Sequence, residues 1–293
     1  MTVGSLLRAG LGLIRAQPAA IAVWTVLYLA VGLIGLALVF PAMTAMAAAT
    51  QRPDLAGMQS AMAWMWLFDL LLFVVITVIF AAIFRAVFWP EQRRFAYLRL
   101  GMDEFLLIVL MILFFVVAFV ATLAAVLLGA LVVGLIAATV GYGAATLLGV
   151  VLAVALGCVA LWLEVRLSLA FPLTVLRKRL AIGEAWRLTQ GRFWTLFGAY
   201  LVSAVLVIIV STIVFWPMVG AYFSDALQAG GDPQQMNLVM QAQMARVLHP
   251  GIGMIVSWML GGLVYTIGLA LIGGIQASAT AMLADDAALE ADT

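Results

Sequence analysis

Apolar residues fall into six long runs, and the polar residues gather in the breaks between them. The runs cover residues 19–40, 62–84, 105–138, 144–162, 193–214 and 252–277. As a helix, the second run rises ~34 Å, enough to cross a hydrocarbon core of ~30 Å. The third is longer than one upright crossing requires and is expected to tilt or to extend past the bilayer. Gly141 and Gly143, around Tyr142, mark the turn into the fourth.

Three of the breaks carry a helical pattern of their own. In residues 3–15, Val3, Leu6, Leu7, Leu11 and Ile14 share one face, with Arg8 and Arg15 placed for headgroups. That predicts an interfacial helix ended by Pro18. In residues 181–190, Ile182, Ala185, Trp186 and Thr189 lie opposite Glu184 and Arg187, and Gly191 supplies a stop. In residues 216–250, Asp232-Pro233 is a helix-start signal, with Met236, Val239, Met240, Met244 and Val247 on one face and Pro250 at the end. By contrast, residues 41–61, with Pro41, Arg52, Pro53 and Asp54, read as a small-residue loop. The predicted fold is all-α: a polytopic membrane protein of six transmembrane helices plus interfacial amphipathic helices. Residues 1–284 form one transmembrane domain, followed by an acidic tail over 285–293.

Composition supports lipid as the solvent. Of the 293 residues, 67% are hydrophobic and 9% charged, whereas soluble domains carry roughly 25% charged residues. The first apolar run exceeds a signal-peptide core and is expected to remain as a span. A net charge of +1 gives no reason to expect nucleic acid. One cysteine, Cys158, and one histidine, His249, make a disulfide or a metal cluster built on these residues unexpected. No cofactor is expected.

Charge position sets the orientation. With six spans and the N-terminus inside, the inner side holds Arg8, Arg15, Arg85, Arg93, Arg94, Arg99, Arg166, Arg177, Lys178, Arg179, Arg187 and Arg192, and the outer side holds Arg52 and Arg246. Both termini are therefore expected in the cytoplasm. Trp89, Trp162, Trp186 and Trp194 suit the inner interface, and Trp64, Trp66 and Trp216 the outer.

Candidate chemistry is sparse. Arg177, Lys178, Arg179 and Arg187, with Trp186 beside them, form a basic segment suited to anionic lipid headgroups. Asp69 is an ionisable residue inside the second span. Glu164 and Arg166 end the fourth span and could pair with Arg85 or Glu184, or simply anchor a helix end. Gly149, Ala153 and Gly157 recur at the spacing that lets helices approach, and Gly261, Gly262, Gly268, Gly273 and Gly274 offer the same in the sixth span. No P-loop, GxSxG or HExxH motif occurs, so an enzyme is not expected.

The two inner segments share a plan. An arginine closes a span, a proline follows (Arg85 and Pro90; Arg166 and Pro172), and a glycine precedes the next span (Gly101; Gly191). RLGMDEF and RLTQGRF repeat Arg-Leu and a phenylalanine at equal spacing. This is consistent with two inward-opening helical hairpins, and equally with two inner loops that each need arginines and breakers. On the segments RAVFWPEQRRFAYLRLGMDE and RLSLAFPLTVLRKRLAIGEAWRLTQGRFWTLFGAYL, the chain resembles a group of six-helix bacterial inner-membrane proteins. These are similar to the membrane domain that accompanies some glycerophosphodiester phosphodiesterases. The resemblance implies a bundle in the bacterial inner membrane, not the phosphodiesterase activity, which belongs to a separate soluble barrel. The expected role is a non-enzymatic scaffold or accessory protein that interacts with membrane lipids, anionic ones among them, or with other membrane proteins. The alternative is a small transporter or lipid-translocating protein, with Asp69, Gln276 and the glycines of the sixth span lining a cavity.

Overall fold

The computed structural model describes residues 1–49, 55–248 and 251–291, and every regular element among them is helical. Arg52, Pro53, Asp54, His249 and Pro250 lie outside the described residues. The chain opens with α1 (Val3–Ala16), capped by Thr2, whose Oγ1 accepts from Ser5 N at 3.2 Å while Ser5 Oγ accepts from Thr2 N at 3.0 Å. There follow α2 (Pro18–Ala49), α3 (Leu55–Phe88), α4 (Met102–Thr139) and α5 (Tyr142–Leu167). Next come the short α6 (Ala170–Arg177) and α7 (Ile182–Leu188), then α8 (Phe193–Gln228), α9 (Pro233–Leu248) and α10 (Ile252–Ala291). Among the described residues, six helices are long and apolar enough to cross a membrane: α2, α3, α4, α5, α8 and α10.

Several helices outrun their apolar segments. The 38 residues of α4 form one continuous helix of ~57 Å, so the third run is unbroken. α2 continues through Pro41 to Ala49, where the sequence suggested a loop. α8 passes Pro217 and ends at Gln228, several turns beyond the expected stop at Val214. The Asp232 start behaves as its composition predicts: Oδ1 accepts from Gln234 N at 2.9 Å and α9 begins at Pro233. The Arg246–Asp225 pair at 3.2 Å then ties α9 to α8.

α10 is the central element, packing on α1, α2, α3 and α8. Its glycines make this close approach feasible. A Cβ on Gly273 would lie 2.8 Å from Ile83 Cγ2, and one on Gly274 would lie 3.2 Å from the Cα of Gly10. In lipid, where apolar surface gains nothing by leaving the solvent, such close backbone contact is a main source of helix association. α1 is consequently a docked helix. Leu6, Gly10 and Leu13 are buried against the bundle while Arg8 and Arg15 stay exposed.

The largest buried side chains include Trp24, Phe84, Tyr97, Leu107, Leu110, Leu169, Leu196 and Ile275. All belong to the basic end of the bundle, where the two core clusters meet at Ile14 and Phe171. The α4–α5 hairpin departs from this core. Between Met111 and Glu164, Ala145 alone is buried. The small face expected to pack in the fourth span is open: Gly157 has nothing within 4 Å of a Cβ position, Ala153 is exposed, and Gly149 meets only Val133 at 3.9 Å.

Candidate functional site

The basic end carries two polar assemblies on different scaffolds. The first closes the segment between α3 and α4. Arg85, at the last turn of α3, has a side chain only 6% exposed. Its Nε and Nη2 donate to Asp103 Oδ2 at 3.3 and 3.2 Å, and its Nη1 donates to the carbonyl of Tyr97 at 3.0 Å. Nη2 also pairs with Glu104, 3% exposed, whose other oxygen accepts from Gly101 N at 3.0 Å. Each buried charge thus has a partner of opposite sign and a backbone group in reach, the condition under which a buried pair persists.

The intervening chain is held in an uncommon shape. Phe95, Ala96 and Tyr97 all have positive φ, between 49° and 63°, a region that costs non-glycine residues ~1–2 kcal/mol each. Two hydrogen bonds hold it: Trp24 Nε1 donates to the carbonyl of Ala96 at 2.9 Å, and the Tyr97 hydroxyl donates to the carbonyl of Pro90 at 2.8 Å. The turn leaves Phe95 86% exposed.

The second assembly spans residues 164–192. Arg166 is half-buried with its Cζ 4.5 Å from the ring centre of Trp186 and 5.6 Å from that of Trp162. The two indoles meet edge to face at 5.4 Å. Contact with ring faces replaces an ion pair for this guanidinium, and its buried Nε has no hydrogen-bond partner. Thr189 Oγ1 donates at 3.1 Å to the carbonyl of Arg166, and Ser168 and Tyr200 share a 2.8 Å hydroxyl contact, so α7 and α8 are both fastened to the end of α5. Arg177 Nε and Nη2 donate to Glu184 Oε1 at 3.0 and 2.8 Å, and Arg179 approaches Glu184 Oε2 at 3.9 Å. Lys178 ends α6 in the left-handed conformation at φ 54°. Lys178 and Arg187 are exposed beside the Arg177–Glu184 pair.

The expected residues therefore separate. Arg177 and Arg179 meet at Glu184, and Lys178 and Arg187 are exposed in the same segment, while Trp186 packs against Arg166 and Trp162. The pairing expected for Glu164 and Arg166 with Arg85 or Glu184 is not formed: Arg85 engages Asp103 and Glu104, Glu184 engages Arg177 and Arg179, and Arg166 engages tryptophans. Asp69 is exposed on α3, apart from the packed glycines of α10, whose Cβ positions are filled by Ile83, Leu29, Phe215, Val207 and Leu13. Those glycines serve helix contact. The segments after α3 and after α5 also differ in build. Pro90 sits in an exposed turn, whereas Pro172 is buried within α6, and Gly191 has φ +71° where Gly101 is extended at −161°.

Sequence reasoning missed Asp103, Glu104, Tyr97 and Trp24. A signal was present for the carboxylates: an acidic pair just past Gly101 and Met102, in the first turn of α4, where a helix favours negative charge. Among the described residues, no group of three or more His, Cys, Asp or Glu side chains is placed to hold a metal ion. No protein-family model, curated protein or solved structure matches the chain, so its functional reading rests on its own residues.

Proposed function

We propose that this membrane-embedded helical protein is a non-enzymatic scaffold or accessory protein of the bacterial inner membrane, and that its basic end binds anionic lipid headgroups in the cytoplasmic leaflet. The observation that carries this reading is the exposure of Arg177, Lys178, Arg179 and Arg187 in one short segment that also holds the half-buried Trp186 and the 77% exposed Trp194. Tryptophans at that level favour the headgroup boundary, and guanidinium and ammonium groups there meet phosphate oxygens. The distribution of Lys and Arg supports a cytoplasmic location for this end and for both termini. The resemblance of the two inner segments to bacterial inner-membrane proteins supports the compartment.

The test is native mass spectrometry of the purified protein with Arg177, Lys178 and Arg179 changed to glutamine. Each basic residue near an anionic surface is worth ~1 kcal/mol, but Glu184 already offsets one of the three. The expected loss in phosphatidylglycerol or cardiolipin retention is therefore about 2 kcal/mol, or roughly thirtyfold. Unchanged retention would leave these charges with orientation as their sole role. Orientation has its own assay, in a Cys158-free background. Cysteine at position 178 should resist an impermeant reagent added outside, and cysteine at position 232 should react; the opposite pattern refutes the topology.

A further inference from the structure

Between α4 and α5 lies a cleft of about 570 Å³, well within the range of sites that hold small molecules. The two helices meet near the hairpin tip, where Ala145 is buried and Val133 reaches Gly149. Toward the basic end small side chains make the room: Ala121, Ala125 and Ala160 line the walls. Phe171 of α6 lines the cleft with Phe114, and the two rings pack edge to face at 5.4 Å. Along the axis the lining runs from Leu156 to Leu167 on α5 and from Phe114 to Val126 on α4, about 16 and 18 Å of helix. That length and bore suit one extended apolar chain.

The lining is apolar except for Thr122 and Glu164, and Glu164 is the only ionisable group in it. It is exposed at the basic end of α5, past the 144–162 apolar run and two residues before Arg166. An exposed carboxylate at the end of an apolar cleft attracts a positive group. The cleft lining supplies no cation, and Arg166 is engaged by the faces of Trp162 and Trp186. A cation carried on the end of a hydrocarbon chain would complement both the acid and the apolar lining.

We infer that the α4–α5 cleft is a binding site for an amine-headed membrane lipid of the phosphatidylethanolamine class, with one acyl chain between the helices and its ammonium on Glu164. The site is separate from the anionic-lipid surface and favours the opposite charge. It also accounts for a hairpin that is almost unpacked yet carries an acid near its base: the lipid supplies both the filling and the countercharge.

The experiment offers delipidated full-length protein equimolar phosphatidylethanolamine and phosphatidylglycerol of identical chains, and reads bound lipid by native mass spectrometry. The expected result is about fivefold preference for phosphatidylethanolamine in excess of that shown by Glu164→Gln, the weight of one charge contact near a membrane surface. Glu164→Asp should keep the preference and Glu164→Lys should reverse it. Ala121→Phe fills the cleft and leaves the acid intact; it should remove the preferred lipid. Equal retention of the two lipids by the parent, or a preference that survives Glu164→Gln, overturns the inference. So does a dimer in the delipidated state that Ala121→Phe abolishes, because a second copy would then be the occupant. Changing Arg177, Lys178 and Arg179 to glutamine should lower phosphatidylglycerol binding without touching the Glu164-dependent preference, so the two lipid readings can fail separately.

Discussion

Replacing Arg85 with methionine isolates the energetic role of its pairing with Asp103 and Glu104. The substitution keeps an unbranched apolar stem and removes the guanidinium. Asp103 is 21% exposed and can turn to water, so its loss is small. Glu104 is 3% exposed and retains only the Gly101 amide, at 3.0 Å. The carbonyl of Tyr97 loses its donor as well. Stranding one buried member of an ion pair costs ~3–5 kcal/mol, and a lost hydrogen bond adds ~1 kcal/mol. Arg85→Met should therefore destabilise by about 4–6 kcal/mol. Adding Glu104→Leu removes the stranded charge, and the double variant should recover at least ~2 kcal/mol of that loss, a coupling within the range of contacting residues. Tryptophan fluorescence during reversible unfolding in mixed micelles with rising dodecyl sulfate gives both values. Arg177→Gln is the internal control, because its guanidinium is 43% exposed and such a pair is worth under ~1 kcal/mol. A loss below ~1 kcal/mol for Arg85→Met, or a double variant as unstable as the sum of its parts, would refute the idea that this pair is energetically buried.

Two further outcomes can be read in the same assay. Gly273→Ala places a methyl 2.8 Å from Ile83 Cγ2 and 3.3 Å from Phe80 and should cost ~1–3 kcal/mol; Gly157→Ala has open space around it and should be neutral or stabilising by up to ~1 kcal/mol. Similar effects at both positions would mean that α10 is not the packed glycine seam. Lys178→Gly relieves a left-handed lysine at the end of α6 and should stabilise by up to ~1 kcal/mol, and a loss of stability would show that the lysine side chain secures that turn.

The spans were legible because lipid exposure demands only that a helix be apolar, a property each run displays without reference to its neighbours. Their ends were less legible. Pro41 falls in a stretch that reads as a loop and the fifth apolar run ends at Val214, but α2 continues through Pro41 and α8 through Pro217, as membrane helices tolerate. Which glycines pack was also hidden. Small residues four apart permit close contact without requiring it, and the set in α5 faces outward while Gly273 and Gly274 of α10 are filled. The basic surface was readable because its charges lie close together along the chain. The Arg85 assembly was not, since its geometry depends on three successive left-handed residues that no turn signal marks: Phe95, Ala96 and Tyr97 are not turn formers.

The hydrogen bond from Trp24 to Ala96 also has a temporal meaning. Donor and acceptor are 72 residues apart, and at ~5–20 residues per second a ribosome takes about 4 to 15 seconds to bridge that distance. During this interval α2 and α3 emerge as a pair whose indole donor has no acceptor yet made, and Arg85 precedes both of its carboxylates. The first two spans therefore reach the membrane in an unfinished state and await the opening turn of α4. A pause in translation before Ala96 would prolong that state.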